Sequence, residues 1–209
     1  MHLLLFGASG QAGQELLRQA IQRSHSVTAF VRQPAKLVVT APGIRVVEGD
    51  VADFDAVAAA IPQHDAVVST LGVSTPLHHD PAVVAGVQNI VQAMQEHRVP
   101  RPIYLSFIGV HESRSAVGAV LRYLAPILLR HEIADHEAKE AVIRSSDLDW
   151  TIVRPPKLTN GPLTGRYRSG EAITTSKPVP LLSRADLAHF VLQELAEPAF
   201  VRRAPRLLH

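Results

Sequence analysis

The stretch LLLFGASGQAGQELLRQA, residues 3–20, constrains this chain more than any other. It passes from strand-forming apolar residues through glycines at positions 7, 10 and 13 into an amphipathic run of helix formers. Glycine loses more conformational freedom on folding than any other residue, so three at regular spacing need a steric reason. In a strand–turn–helix unit each has one. The first permits the tight turn, the second bares the backbone for close approach, and the third lets helix and strand pack together.

The alternation continues along the chain. Strands are expected at Leu3–Phe6, Ser26–Val31, Ile44–Val47, Ala66–Thr70, Ile103–Phe107 and Trp150–Val153. Helices are expected at Gln11–Arg23, Phe54–Ile61, Pro81–His97 and Ala134–Ser145. Strands alternating with helical patterns imply parallel pairing through crossover helices, and nearly continuous apolar strands imply a sheet covered on both faces. The expected fold is therefore α/β, a Rossmann-type doubly wound parallel sheet. The rhythm changes after Arg154: RPPKLTNGPLTG reads as loop, and Ser183 with Asp186 marks the N-terminus of a last helix. One domain is expected over residues 1–209, with a dinucleotide-binding core at 1–154 and a small C-terminal substrate-side cap at 155–209.

In this context the glycine turn reads as a dinucleotide cradle, with the pyrophosphate on Gly7, Ala8, Ser9, Gly10, Gln11, Ala12 and Gly13 at the helix N-terminus. An acid after the second strand would hold a ribose 2′-hydroxyl. Here the strand ends in Arg32, with Lys36 nearby, and a guanidinium suits a 2′-phosphate; the expected cofactor is NADP(H). In EGDVAD, Asp50 and Val51 are placed to meet adenine, although Asp50 also suits a cap for the next helix. Leu71 and Gly72 fall at the switch-point edge, and Ser106 and Pro155 follow later strands on the ligand side.

Composition excludes several other chemistries. There is no cysteine, so thiolate catalysis, disulfides and Cys-ligated metal sites are ruled out. The net charge is only +2, without a basic run or basic–aromatic interleaving, so no nucleic-acid partner is expected. Met1–Phe6 is too short for a signal-peptide core, and Arg122 and Pro126 interrupt the apolar stretch Ala116–Leu129. The expectation is a cytoplasmic monomer or homodimer with no membrane partner and a small-molecule substrate. Ala116–Leu129 could roof an aromatic pocket, form a subunit contact or pack in the core.

The segments FGASGQAGQ, FVRQPAKL, EGDVAD, QNIVQAM, DHEAKEAVIRSSDLDWTIVRPPKLTNGPLTG and LLSRADLAHFVL together carry a family resemblance. The chain resembles the atypical short-chain dehydrogenase/reductases with a GxxGxxG fingerprint, and among them the NADPH-dependent flavin reductase (biliverdin-IXβ reductase) group. The resemblance implies NADP(H) on Gly7–Gly13 and Arg32, and a pocket closed by loops after the fifth and sixth strands. The Tyr-x-x-x-Lys pair of the broader superfamily is absent: Lys139 has Asp135 four residues before it, where the tyrosine would stand. The flavin reductases place histidine after their paired prolines, whereas here Lys157 follows Pro155-Pro156.

Such a chain suits hydride transfer to a flat conjugated acceptor of the flavin, quinone or tetrapyrrole type, with solvent supplying the proton. The alternative is a non-enzymatic NADP-binding regulator of the NmrA-like kind. Catalytic candidates are Ser106, which could bond substrate, nicotinamide or only local backbone; Lys139, for ribose or substrate; and His111, as a proton donor. Neither His131/Glu132/His136 nor His78-His79-Asp80 has convincing metal-ligand spacing, and no metal is expected.

Overall fold

The computed structural model describes residues 1–72, 79–116, 118 and 129–209. Residues 73–78, 117 and 119–128, and with them His78 and most of the Ala116–Leu129 segment, lie outside the described residues. Six parallel strands form the central sheet: β1 (His2–Phe6), β2 (Ser26–Val31), β3 (Ile44–Glu48), β4 (Ala66–Ser69), β5 (Pro102–Leu105) and β6 (Thr151–Val153). Their spatial order is β3-β2-β1-β4-β5-β6, so the strand order reverses between β1 and β4. A crevice at the carboxyl ends of the strands follows from that reversal.

Strand alternation sorts the core into two layers. Leu3, Leu5, Val27, Ala29, Val68, Ile103 and Val153 face α1 (Gln11–Gln22) and the C-terminal helix, here α5 (Arg184–Ala196), through Leu16, Leu17, Val191 and Leu195. Leu4, Phe6, Phe30, Val67, Tyr104 and Ile152 face α2 (Phe54–Ala60), α3 (Pro81–Glu96) and α4 (Arg130–Arg144) through Val57, Ile90, Met94 and Ile143. Because successive side chains leave a strand on opposite faces, LLLF buries both of its faces. Among the described residues no helix is long and apolar enough to cross a membrane.

The tail after β6 departs from the sequence reading. RPPKLTNGPLTG is not wholly loop, because Lys157–Thr159 forms β7 and pairs in parallel with β9 (Leu181–Ser183). β8 (Arg168–Gly170) pairs antiparallel with β10 (Arg206–Leu208), and bridges Thr151–Arg203 and Arg154–Arg206 lay the last residues along the β6 edge. These strands are three residues long and lack an alternation that sequence could display. α4 begins at Arg130, four residues before the expected Ala134; Leu129 stands at its N-cap without a capping side chain, so no capping residue marks the start in the sequence. Asp53, not Asp50, caps α2, accepting the Ala56 N–H at 3.2 Å. Ser183 caps α5 as expected, accepting the Asp186 N–H at 2.9 Å.

Charged pairs in the interior tie helices to the sheet. Arg154 is fully buried and grips Glu140 of α4 twice, at 3.0 and 2.5 Å, and Glu112 at 2.6 Å. Arg101 donates to Glu194 of α5 at 2.9 Å and to the Thr151 hydroxyl at 2.8 Å. Removing one partner of such a pair strands a buried charge, at a cost of about 3–5 kcal/mol, whereas an apolar replacement of both can approach neutrality. Arg154→Met is expected to lose about 3–5 kcal/mol in urea denaturation. Arg154→Met/Glu140→Leu should recover more than half of that loss.

Candidate functional site

The β1–α1 turn is built around two contacts that only glycine permits. Gly7 has φ +78°, and a Cβ there would lie 2.6 Å from the Thr70 hydroxyl oxygen. A Cβ on Gly13 would lie 2.3 Å from the Gly7 carbonyl oxygen. Thr70 closes the turn from the β4 side, donating to the Gly7 carbonyl at 3.0 Å. Gly10 is the N-cap of α1 and brings no side-chain acceptor, and the first turn holds no acid. The N–H groups of Gln11, Ala12 and Gly13 precede the first intrahelical acceptor and so face outward with a positive dipole end.

Two hollows meet beside this turn. One, about 350 Å³, is lined by Gly7, Ser9, Arg32, Lys36, Asp50, Val51, Leu71 and Gly72. The other, about 470 Å³, is lined by Ala12, Thr70 and Gly72 together with Leu105–Gly109, Pro155–Leu158 and side chains of α4. Gly72 borders both. The fold thus brings together most of the residues singled out as cofactor contacts, from the ends of all six strands of the central sheet. The Ala8 side chain is buried in the core, the Gln11 side chain borders a third hollow with Arg18 and Arg184, and Asp50, which lines the smaller hollow, accepts the Ala52 N–H at 3.0 Å through its carboxylate. Val51 is pinned by Asn89, which donates to its carbonyl at 2.9 Å, and by close packing on Gly86.

Two of the candidate residues carry buried polar atoms with no hydrogen-bond partner among the described residues. The Ser106 hydroxyl faces no local backbone acceptor, although its N–H continues the β5–β6 ladder to Val153 at 2.9 Å. Lys139 is fully buried, and its ammonium makes no hydrogen bond. Burial pushes this amine down to about 8, against the pull of Asp135, Asp80 and Glu132. Asp135, in the expected tyrosine position, is turned to other work: it accepts the Asp80 N–H at 2.9 Å and pairs with His79. A glycine cradle that a Cβ would fill, an uncapped helix N-terminus and the orphaned Ser106 hydroxyl fit a dinucleotide.

His111 is a correction. It does not line either hollow but stands against carboxylates, its imidazole 4.0 Å from Glu137 and 3.8 Å from Glu140. Its left-handed backbone, φ +44°, turns the chain after β5. Among the described residues no group of three or more His, Asp or Glu could hold a metal.

The walls of the larger hollow were mostly missed in the sequence. Phe107, Ile108, Leu129, Leu158, Val179, Pro180 and Leu187 come from five segments that no local pattern connects. Glu132 and His136 also line it, one helical turn apart on α4, and that spacing was the available signal. Burial holds the Glu132 carboxyl above its ordinary range. Burial, with the Lys139 charge, pushes the His136 imidazole down to about 3, so the ring is neutral.

Lys139 makes the free protein's stability depend on pH. Its lowered value means that the unfolded chain binds more protons, so the penalty is full below about 8 and fades toward 10.5. Relative to Lys139→Met, the unliganded wild type should gain roughly 1–2 kcal/mol between about pH 7.5 and 9.5 in urea denaturation.

Comparison with known proteins agrees with this geometry. YwnB of Bacillus subtilis (strain 168), itself uncharacterized, is 29% identical over 205 residues, covering 95% of this chain and 93% of YwnB. ChuY, an anaerobillin reductase from Escherichia coli O157:H7, superposes with a TM-score of 0.81 at 22% identity, covering 100% of this chain and 97% of ChuY. A short-chain dehydrogenase/reductase of Veillonella parvula DSM 2008, solved in complex with NADP, gives 0.81 at 19% identity, covering 100% and 94%. The sequence model of the NAD(P)H-binding family matches residues 7–198. Running from the glycine turn through α5, that match makes the protein a member of the NAD(P)H-binding family.

Proposed function

We propose that the protein is an NADPH-dependent reductase that passes hydride to a flat conjugated acceptor such as a flavin, quinone or linear tetrapyrrole. The observation that carries this reading is the larger hollow. It adjoins the dinucleotide crevice at Gly72, and its walls are chiefly Leu105, Phe107, Ile108, Pro155, Pro156 and Leu158. Such a cavity of about 470 Å³ suits a mostly apolar planar molecule. The bound cofactor supplies the hydride. The chain positions both partners: the glycine turn holds the diphosphate, Arg32 and Lys36 meet the 2′-phosphate, and Lys139 and Ser106 complete the ribose and nicotinamide end. No tyrosine stands four residues before Lys139 to protonate a carbonyl. An acceptor that spreads incoming charge over a conjugated system needs that acid least. Alignment at the crevice supplies the acceleration. The reductase activity of ChuY, a relative in fold, supports the same class.

NADPH oxidation with FMN, riboflavin, menadione and biliverdin as acceptors tests the reading, which fails if none is reduced. In calorimetry, Arg32→Asp should weaken NADP⁺ binding by roughly tenfold to a hundredfold, the range of one charge-assisted hydrogen bond, and leave NAD⁺ nearly unchanged. Gly13→Ala should abolish binding of both, because its methyl would occupy the position 2.3 Å from the Gly7 carbonyl.

A further inference from the structure

A histidine on the wall of the larger hollow has an assignable hydrogen. His136 is buried, lines that hollow, and places Nδ1 3.1 Å from the Tyr104 hydroxyl. Tyr104 is itself buried, and this contact is the single hydrogen bond its hydroxyl makes among the described residues. Two arrangements are available. If Nδ1–H donated to the phenol oxygen, the Tyr104 O–H would be left buried without an acceptor, which is costly. If the phenol donates to Nδ1, its proton is satisfied and the imidazole carries its own hydrogen on Nε2. Burial and the nearby Glu140 and Asp135 charges keep the phenol protonated, consistent with the second arrangement. Nε2 makes no hydrogen bond among the described residues, and His136 is one of the side chains that line the hollow.

We infer that His136 presents a neutral Nε2–H to the larger hollow and selects acceptors that carry a carbonyl or similar oxygen on their ring edge. The inference rests on the acceptor reading above and adds a recognition element to it. The Phe107 ring packs on the imidazole edge-on, with centroids 5.1 Å apart, and restrains it. The donor is pre-oriented on a rigid helix rather than on a loop. It is a hydrogen-bond donor throughout the neutral range and does not deliver a proton: the charge that hydride brings to the ring is stabilised at the carbonyl oxygen, and solvent protonates it.

Two measurements test this. Long-range ¹⁵N–¹H correlation on the wild-type protein should show His136 as a neutral Nε2–H tautomer at pH 7. Anthraquinone-2-sulfonate should bind about tenfold tighter than anthracene-2-sulfonate, which has the same flat frame without carbonyl oxygens. That preference should vanish in His136→Phe and shrink in Tyr104→Phe, where Nδ1 loses its donor. An Nδ1–H tautomer, a charged ring, or a carbonyl preference that survives His136→Phe overturns the inference while leaving the acceptor reading intact. Failure of both probes to bind the wild type overturns the two together.

Discussion

The rest of the site depends on one close approach, that of the β1–α1 turn to the end of β4. The Gly7 carbonyl sits under the Thr70 hydroxyl and beside the Cα of Gly13, at separations that leave no room for a Cβ. That crowding brings the N-terminus of α1 to the point where strand order reverses, with free N–H groups and no acid to oppose an anion. Both hollows are arranged around this point and share Gly72.

Charge is handled in two ways inside the protein. Arg154 with Glu140, and Arg101 with Glu194, are buried pairs whose donors and acceptors are largely satisfied; the first ties α4 to the end of β6 and the second ties α5 to the sheet. Lys139 is buried without such satisfaction, and Asp135 does not supply it because that carboxylate is committed to Asp80 and His79. A structural ion pair stabilises the free protein. An orphaned ammonium destabilises it, and a partner arriving with a ligand can relieve that cost. The difference separates the scaffold from the crevice.

Legibility in the sequence followed the length of the pattern. Gly7, Gly10 and Gly13 sit between a strand and a helix whose periodicities are unmistakable, and Arg32 follows a strand whose bounds were read directly. Ser183 announced α5 through its cap. β7 to β10 are too short to show alternation, and α4 begins without a capping residue, so its first turn, with Glu132, was left out. His111 attracted attention as a titratable residue after a strand, but Glu137 and Glu140 of α4 hold it to the helix rather than the hollow.

The order of strands and helices, the glycine turn and the choice of a cationic residue after β2 were determined by sequence alone, because each is a local pattern enforced by sterics or charge within a few residues. The walls of the larger hollow, the isolation of Lys139 and the partnership of Tyr104 with His136 were decided by tertiary structure. They join residues far apart in the chain, and burial, which sets their hydrogen bonding and protonation, exists only once sheet and helices have packed.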